Sequence, residues 1–287
     1  MAAAVDLILA PYDCARRGAR MGAGPEALLA AGLVGRLESE GVACRLVPVE
    51  PEKEFRAEIA TTFDLHRGVR GAVEAASGAR RLPVTLSGNC NIGVIGSLAA
   101  EGHEDVGLFW FDAHSDAETP ESSTSGFLDG MGFAIALGAC FAPLRASVGG
   151  APLEGRRAAH VGAREVSQAA RALLAERGVT LVPPETARSL PAREGLAPAF
   201  EALRSAGVRR VHVHVDLDVL DPELVGPAND WALPGGVSSV QLKALLEAIL
   251  AEFHLASASV ASYDPRLDRD GAVGAAGLEA IATLARG

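Results

Sequence analysis

Apolar residues recur along the chain in short unbroken runs: Val5–Leu9, Leu82–Leu86, Val106–Phe111, Ala158–Gly162, Val211–Val215 and Ala256–Ser262. Most are continuous rather than alternating, the pattern of strands covered on both faces in a parallel sheet. Between them apolar positions fall three and four residues apart. One such segment runs from Gly24 to Leu37, with Pro25 suited to a helix N-terminus. Another begins at Ser238, whose Ser-x-x-Gln spacing to Gln241 predicts a capping box, and continues through Leu242, Leu245, Leu246, Ile249, Leu250 and Phe253. Strands alternating with helices predict an α/β protein of three layers, α-β-α, around a central, mainly parallel sheet. No Pro/Ser-rich stretch or charge run interrupts the pattern, so residues 1–287 read as one domain.

Composition narrows the function classes. At 49% hydrophobic and 22% charged residues the chain can bury a large core. A formal net charge of −10 argues against nucleic acid or an anionic membrane surface as partner and leaves a small molecule. The N-terminal segment lacks a basic region and meets Asp6 at once, so it reads as a first strand rather than a signal peptide. No apolar run approaches the ~18 residues of a membrane span. Cys14, Cys44, Cys90 and Cys140 are far apart with no CxxC spacing, which fits reduced thiols in a cytoplasmic protein.

The candidate chemistry lies where apolar runs end. Leu108–Phe111 opens into Asp112, His114 and Asp116, and Val211–Val215 into Asp216 and Asp218. In extended backbone alternate side chains leave on one side, so each set would converge. Four carboxylates facing one pocket repel one another unless cations neutralise them, which points to two divalent metals. The Gly- and Ser-rich stretch from Glu118 to Gly132 follows directly and is placed to cover the pocket. Asp221, before Pro222, reads as a turn former. His212 and His214 face either the core or the back of the metal site. Trp110 and Phe111 read as strand core, and His66, His103, His160 and His254 carry no ligand spacing.

Asp-Ala-His-Ser-Asp at 112–116 and Asp-Leu-Asp-Val-Leu-Asp-Pro at 216–222 resemble the signature pair of the ureohydrolase superfamily of arginases, agmatinases and formimidoylglutamases. The similarity extends to Ser87–Gly93, Thr119–Pro120, Thr124–Gly126, Val161–Arg164 and Asp264–Asp268, nearly the whole chain. It implies an arginase-like fold, a homo-oligomer (trimer or hexamer) and a binuclear manganese site. In that site Asp112 and Asp216 bridge, His114 and Asp218 complete one metal, and Asp116 serves the other. It also implies hydrolysis of a non-peptide C–N bond in an amidino, guanidino or hydroxyguanidino compound by a metal-bridging hydroxide, with Asp116 as an acceptor for the bridging water.

The departures from the family pattern carry as much information. Cys90 stands where the family has the remaining metal histidine. It reads as a thiolate ligand, which favours zinc, iron or cobalt over manganese, or as a buried small hydrophobe. Some N-hydroxyarginine amidinohydrolases share this cysteine. Ser262 replaces a glutamate that pairs with a guanidinium. Asp129 takes the position of a proton-shuttling histidine, a role that needs its carboxyl pKa raised. Glu118 replaces an asparagine that contacts the α-carboxylate of arginine, which argues against L-arginine as substrate. Phe127 replaces a second asparagine of the lid. Glu165 stands where an aspartate lies near the substrate amino group, with Ser167 in place of a second; it either orients a positive group or is a solvated loop carboxylate. The resemblance thus puts Glu118, Ser125, Glu165 and Ser262 on the substrate side. The alternatives are a single-metal, deacetylase-like amide hydrolase and a non-catalytic metabolite-binding descendant of the fold.

Overall fold

All six apolar runs form strands in the computed structural model, which describes residues 4–55, 57–102, 104–189 and 191–287; His103 lies outside them. The described residues hold ten strands: β1 Ala4–Ala10, β2 Tyr12–Asp13, β3 Arg16–Arg17, β4 Ala43–Pro48, β5 Leu82–Ser87, β6 Val106–Phe111, β7 Ala158–Val161, β8 Thr180–Val182, β9 Arg210–Asp216 and β10 His254–Ala261. β2 and β3 make a small antiparallel hairpin. The other eight form one sheet in the order β4-β1-β5-β10-β9-β6-β7-β8, every neighbouring pair parallel. The sequence pattern misses β4 and β8 because they need no apolar run. β4 is a partly exposed edge strand, and β8, at the opposite edge, is three residues long.

Helices cover both faces, as a parallel sheet requires. Phe109, Phe111, Val211, Val213, Val215, Ala258 and Val260 point to one side and pack with residues of three helices, Ala192–Ser205, Ser239–Leu250 and Ala272–Arg286. Leu108 and Trp110 point to the other side and pack with Val94, Ile95 and Leu98 of the helix Cys90–Glu101. On that side β9 and β10 carry a buried polar layer. The His212 ring bonds Ser257 Oγ at 2.7 Å and Ser259 Oγ at 2.9 Å, and His214 Nδ1 bonds Ser259 Oγ at 2.8 Å. Burial lowers His212 to about 3 and His214 well below its ordinary value, so both are neutral core residues.

The capping box forms: Ser238 Oγ accepts from the Gln241 backbone N–H, and the Gln241 side chain accepts from the Ser238 N–H. The Gly24–Leu37 pattern is two helices, Gly24–Ala30 and Leu33–Ser39, because Gly32 turns the chain between them at φ +92°. Among the described residues no helix is long and apolar enough to cross a membrane.

Candidate metal centre

β5, β10, β9 and β6 are consecutive neighbours in the sheet, so the segments leaving their carboxyl ends lie side by side. These segments supply Cys90, Ser262, Asp216 with Asp218, and Asp112 with His114 and Asp116. Residues up to 172 positions apart thereby meet. The Cys90 sulfur lies 2.9 Å from Asp216 Oδ2 and 3.2 Å from Ser262 Oγ.

The convergence has a different cause from the extended alternation expected of these segments. β6 ends at Phe111, and Leu217–Val219 is a 3-10 turn. In both motifs the first aspartate folds back and accepts the backbone N–H two residues on. Asp112 Oδ1 accepts from His114 N and Asp216 Oδ1 from Asp218 N, each at 2.7 Å. These turns, and not the pleat, turn alternate residues inward. Asp116 and Ser262 sit at φ +46° and +65°, a left-handed conformation that costs a non-glycine residue of order 1 kcal/mol or more and clusters at functional sites.

Three groups of donor atoms result, each with its atoms within 4.8 Å of one another: Cys90, Asp112 and Asp216; Asp112, His114 and Asp218; and Cys90, Asp116 and Asp129. Asp112 belongs to two groups and Cys90 to two. Burial, then the charges of neighbouring carboxylates, raises Asp216 and Asp116 well above the ordinary carboxyl range and Asp112 to about 6. Cys90 is fully buried and its thiol is likewise raised. Burial opposes charge on His114, but hydrogen bonding to Asp112 and Asp218 outweighs it and raises the imidazolium to about 12. Its Nδ1 is 3.1 Å from Asp218 Oδ2. Asp218 is correspondingly lowered, with His114 outweighing burial. Oxygen-rich, buried and unfavourable as free anions, these residues fit divalent cations.

Supporting contacts come from residues without metal-ligand spacing in the sequence. Trp110 Nε1 donates to Asp112 Oδ2 at 2.8 Å, so this core residue also orients a candidate ligand. Asn229 Nδ2 donates to Asp218 Oδ2 at 3.1 Å. The Arg164 guanidinium bonds the carbonyls of Gly162, Asp218, Val219 and Leu233, tying the Asp218 turn to two other loops. Asp221 is a turn former, its carboxylate accepting from Glu223 N and Gly235 N.

A cavity of about 680 Å³ opens over these groups, and Glu118, Ser125, Asp129, Glu165 and Ser262 all line it. Glu118 accepts from the Ser122 hydroxyl, Ser125 is exposed, and Glu165 lies 3.8 Å from His114 Nε2 with most of its side chain in solvent. Phe127 stacks on Trp231, ring centroids 5.3 Å apart, and Arg20 lies over the Trp231 ring. This aromatic wall was not legible, since the two residues are 104 positions apart in unpatterned loops. Asp129 is buried. It accepts from the backbone N–H of Cys90 and Asn91 at 2.9 Å each and from Asn91 Nδ2 at 2.7 Å. Burial raises it to about 7 although these bonds favour the anion, which meets the condition that a proton-donor role sets.

Gly88 sets the approach of Cys90. A Cβ there would lie 2.3 Å from Tyr12 O and 2.7 Å from Gly22 Cα, backbone atoms that cannot rotate away. Gly88→Ala is expected to cost about 1–3 kcal/mol by overpacking and to weaken metal uptake, measured by denaturant unfolding and metal analysis. Unchanged values in both would refute this reading of the turn.

Comparison with known proteins gives the family and the fold. A model of the family described as arginase matches residues 3–286. An N(omega)-hydroxy-L-arginine amidinohydrolase of Streptomyces lavendulae is 32% identical over 185 residues, covering 64% of this chain and 62% of that protein. An arginase of Bacillus subtilis is 27% identical, with 98% and 97% of the two chains covered. The solved arginase of Bacillus caldovelox superposes with a TM-score of 0.87 over 99% of this chain and 98% of the other at 24% identity, which shows the fold.

Proposed function

The chain belongs to the arginase family, and from that premise we propose that it hydrolyses a non-peptide C–N bond of a small guanidino compound, with a hydroxyguanidino compound as preferred substrate. The observation that carries this reading is the sharing of Asp112 between the Cys90–Asp112–Asp216 and Asp112–His114–Asp218 groups, the arrangement two adjacent divalent ions need. Manganese is the expected ion by family, with zinc, iron or cobalt favoured to the extent that Cys90 binds as thiolate. Held by these residues, the ions would supply an acidified water as nucleophile.

The protein's own residues do the rest. Trp110 and Asn229 hold Asp112 and Asp218 in register. Asp116 faces the cavity with a carboxylate that accepts no hydrogen bond among the described residues and can accept one from the attacking water. Glu118 and Glu165 make the cavity rim negative and favour a cationic tail. Ser262 puts a neutral group where the family places a glutamate beside the guanidinium, which favours the less basic hydroxyguanidine. Addition of water to the trigonal carbon and loss of the amine gives urea or hydroxyurea, with water supplying the proton to the leaving nitrogen.

The test is turnover by metal-loaded protein of N-hydroxy-L-arginine, L-arginine and agmatine, read as urea or hydroxyurea release. The N-hydroxy compound is expected to be favoured over L-arginine by at least about tenfold in kcat/KM, roughly the worth of one polar contact. Protein that holds two metals yet releases nothing from any of the three would sink the proposal. One equivalent of metal, with the Asp112–His114–Asp218 group alone filled, would favour the single-metal amide hydrolase instead. The homo-oligomer expected of the family is tested by light scattering.

A further inference from the structure

Two departures from the family pattern, Cys90 and Asp129, meet at one place. Cys90 Sγ and carboxylate oxygens of Asp116 and Asp129 lie within 4.8 Å of one another. We propose that Asp129 is a protein ligand of the second metal, completing with Cys90 and Asp116 a position that offers a thiolate and two carboxylates. The proposal rests on the binuclear reading above and deepens it.

Asp116 gives the first independent sign. Its side chain is about nine-tenths buried and lines the cavity, yet it accepts no hydrogen bond among the described residues. A buried carboxylate without a donor is costly, and a cation on its free lone pairs removes that cost. Its backbone is held left-handed at φ +46°, while its carbonyl accepts from Phe133 and Ala134, so the side chain is fixed in that direction.

The hydrogen bonds of Asp129 supply the second. Oδ1 accepts two donors, Asn91 N and Nδ2, and is saturated; Oδ2 accepts one, Cys90 N, and keeps a lone pair. Asn91 is held in turn by His66 Nε2 on its Oδ1 at 2.8 Å, so the carboxylate is anchored through a buried relay. Rigid support of this kind is what orients metal ligands. The chemistry is complementary: a lone soft thiolate in place of imidazole disfavours manganese, and a second carboxylate restores hard, anionic donation. Asp129 then acts as a ligand and not as the proton donor considered from the sequence.

The test is equilibrium uptake of Mn²⁺, measured by elemental analysis and dialysis, for wild type, Asp129→Asn, Asp129→Ser and Asn91→Ala. Two equivalents are expected in wild type; Asn91→Ala, which removes one of the two donors on Asp129 Oδ1 and leaves Oδ2 untouched, is expected to weaken the second site less than either Asp129 variant. In both Asp129 variants the second site should weaken at least about tenfold, with the first unchanged. Serine keeps an acceptor for the helix N-terminus, so agreement of the two variants separates ligand loss from misfolding. Two equivalents of unchanged affinity in both Asp129 variants would overturn this inference and leave the binuclear reading standing. Second-site weakening in Asn91→Ala as large as in the Asp129 variants would assign Asp129 an anchoring role and likewise overturn it. Fewer than two equivalents in wild type would overturn both.

Discussion

Asp112→Asn is expected to leave a folded protein that has lost the binuclear centre, with hydrolysis reduced by at least about 10³-fold, the scale of removing a main electrostatic stabiliser of a reaction. Asp112 is completely buried, belongs to two of the three donor groups, and is oriented by Trp110 Nε1 on one oxygen and His114 N on the other. Asparagine keeps the shape but offers one oxygen, so one of those N–H groups would face an amide NH₂, at a cost of about 1–3 kcal/mol. Against that, removing one negative charge beside Asp216 and Asp218 relieves repulsion in the metal-free protein. The two terms are of similar size and opposite sign, so folding survives while metal binding does not. Metal content, circular dichroism and turnover measured on one preparation decide it. A variant that retains two equivalents and wild-type rate would remove Asp112 from the centre.

The layers of the fold were legible because continuous apolar runs have one physical use, a strand buried on both faces, and all six such runs are strands. β4 and β8 were not, because an edge strand needs no such run. The metal residues were legible by spacing, although the geometry behind the spacing was not: Asp112 and Asp216 draw the following residues inward by side-chain-to-backbone turns, a local device that the pleat argument does not foresee. Contacts made across distant loops left no periodic trace. Asn229 on Asp218, Phe127 on Trp231 and the grip of Cys90 and Asn91 on Asp129 depend on where the sheet order brings loop ends together. The doubled role of Trp110 has the same character, since an aromatic at a strand end reads as core until the position of its indole N–H is known.

Chelation is expected to lower Tm by on the order of 15 °C at pH 8, and by much less at pH 5. Two sites each held at about 1,000 times Kd contribute about 4 kcal/mol apiece, and in a chain of this size 1 kcal/mol shifts Tm by roughly 2 °C. The pH dependence follows from the carboxylates. Without metal, burial and mutual repulsion raise Asp112 to about 6, burial raises Asp129 to about 7, and Asp116 and Asp216 lie well above their ordinary value of 3.8. Between that ordinary value and the raised ones the folded protein holds more protons than the unfolded chain, so these groups contribute less stability as pH rises through this window. Metal needs the same groups deprotonated, together with the Cys90 thiol, and so releases protons on binding; its stabilisation grows as pH rises. His66, His160 and His212, lowered by burial to about 3, act in the opposite direction, their contribution being lost as pH falls below about 6.5. They lie outside the donor groups and affect loaded and chelated protein alike, so they cancel in the difference between the two melts. Calorimetry of both forms at pH 5 and pH 8 is therefore read as a difference. Equal shifts at the two pH values, or none at either, would show that these buried acids are not the groups that hold the ions.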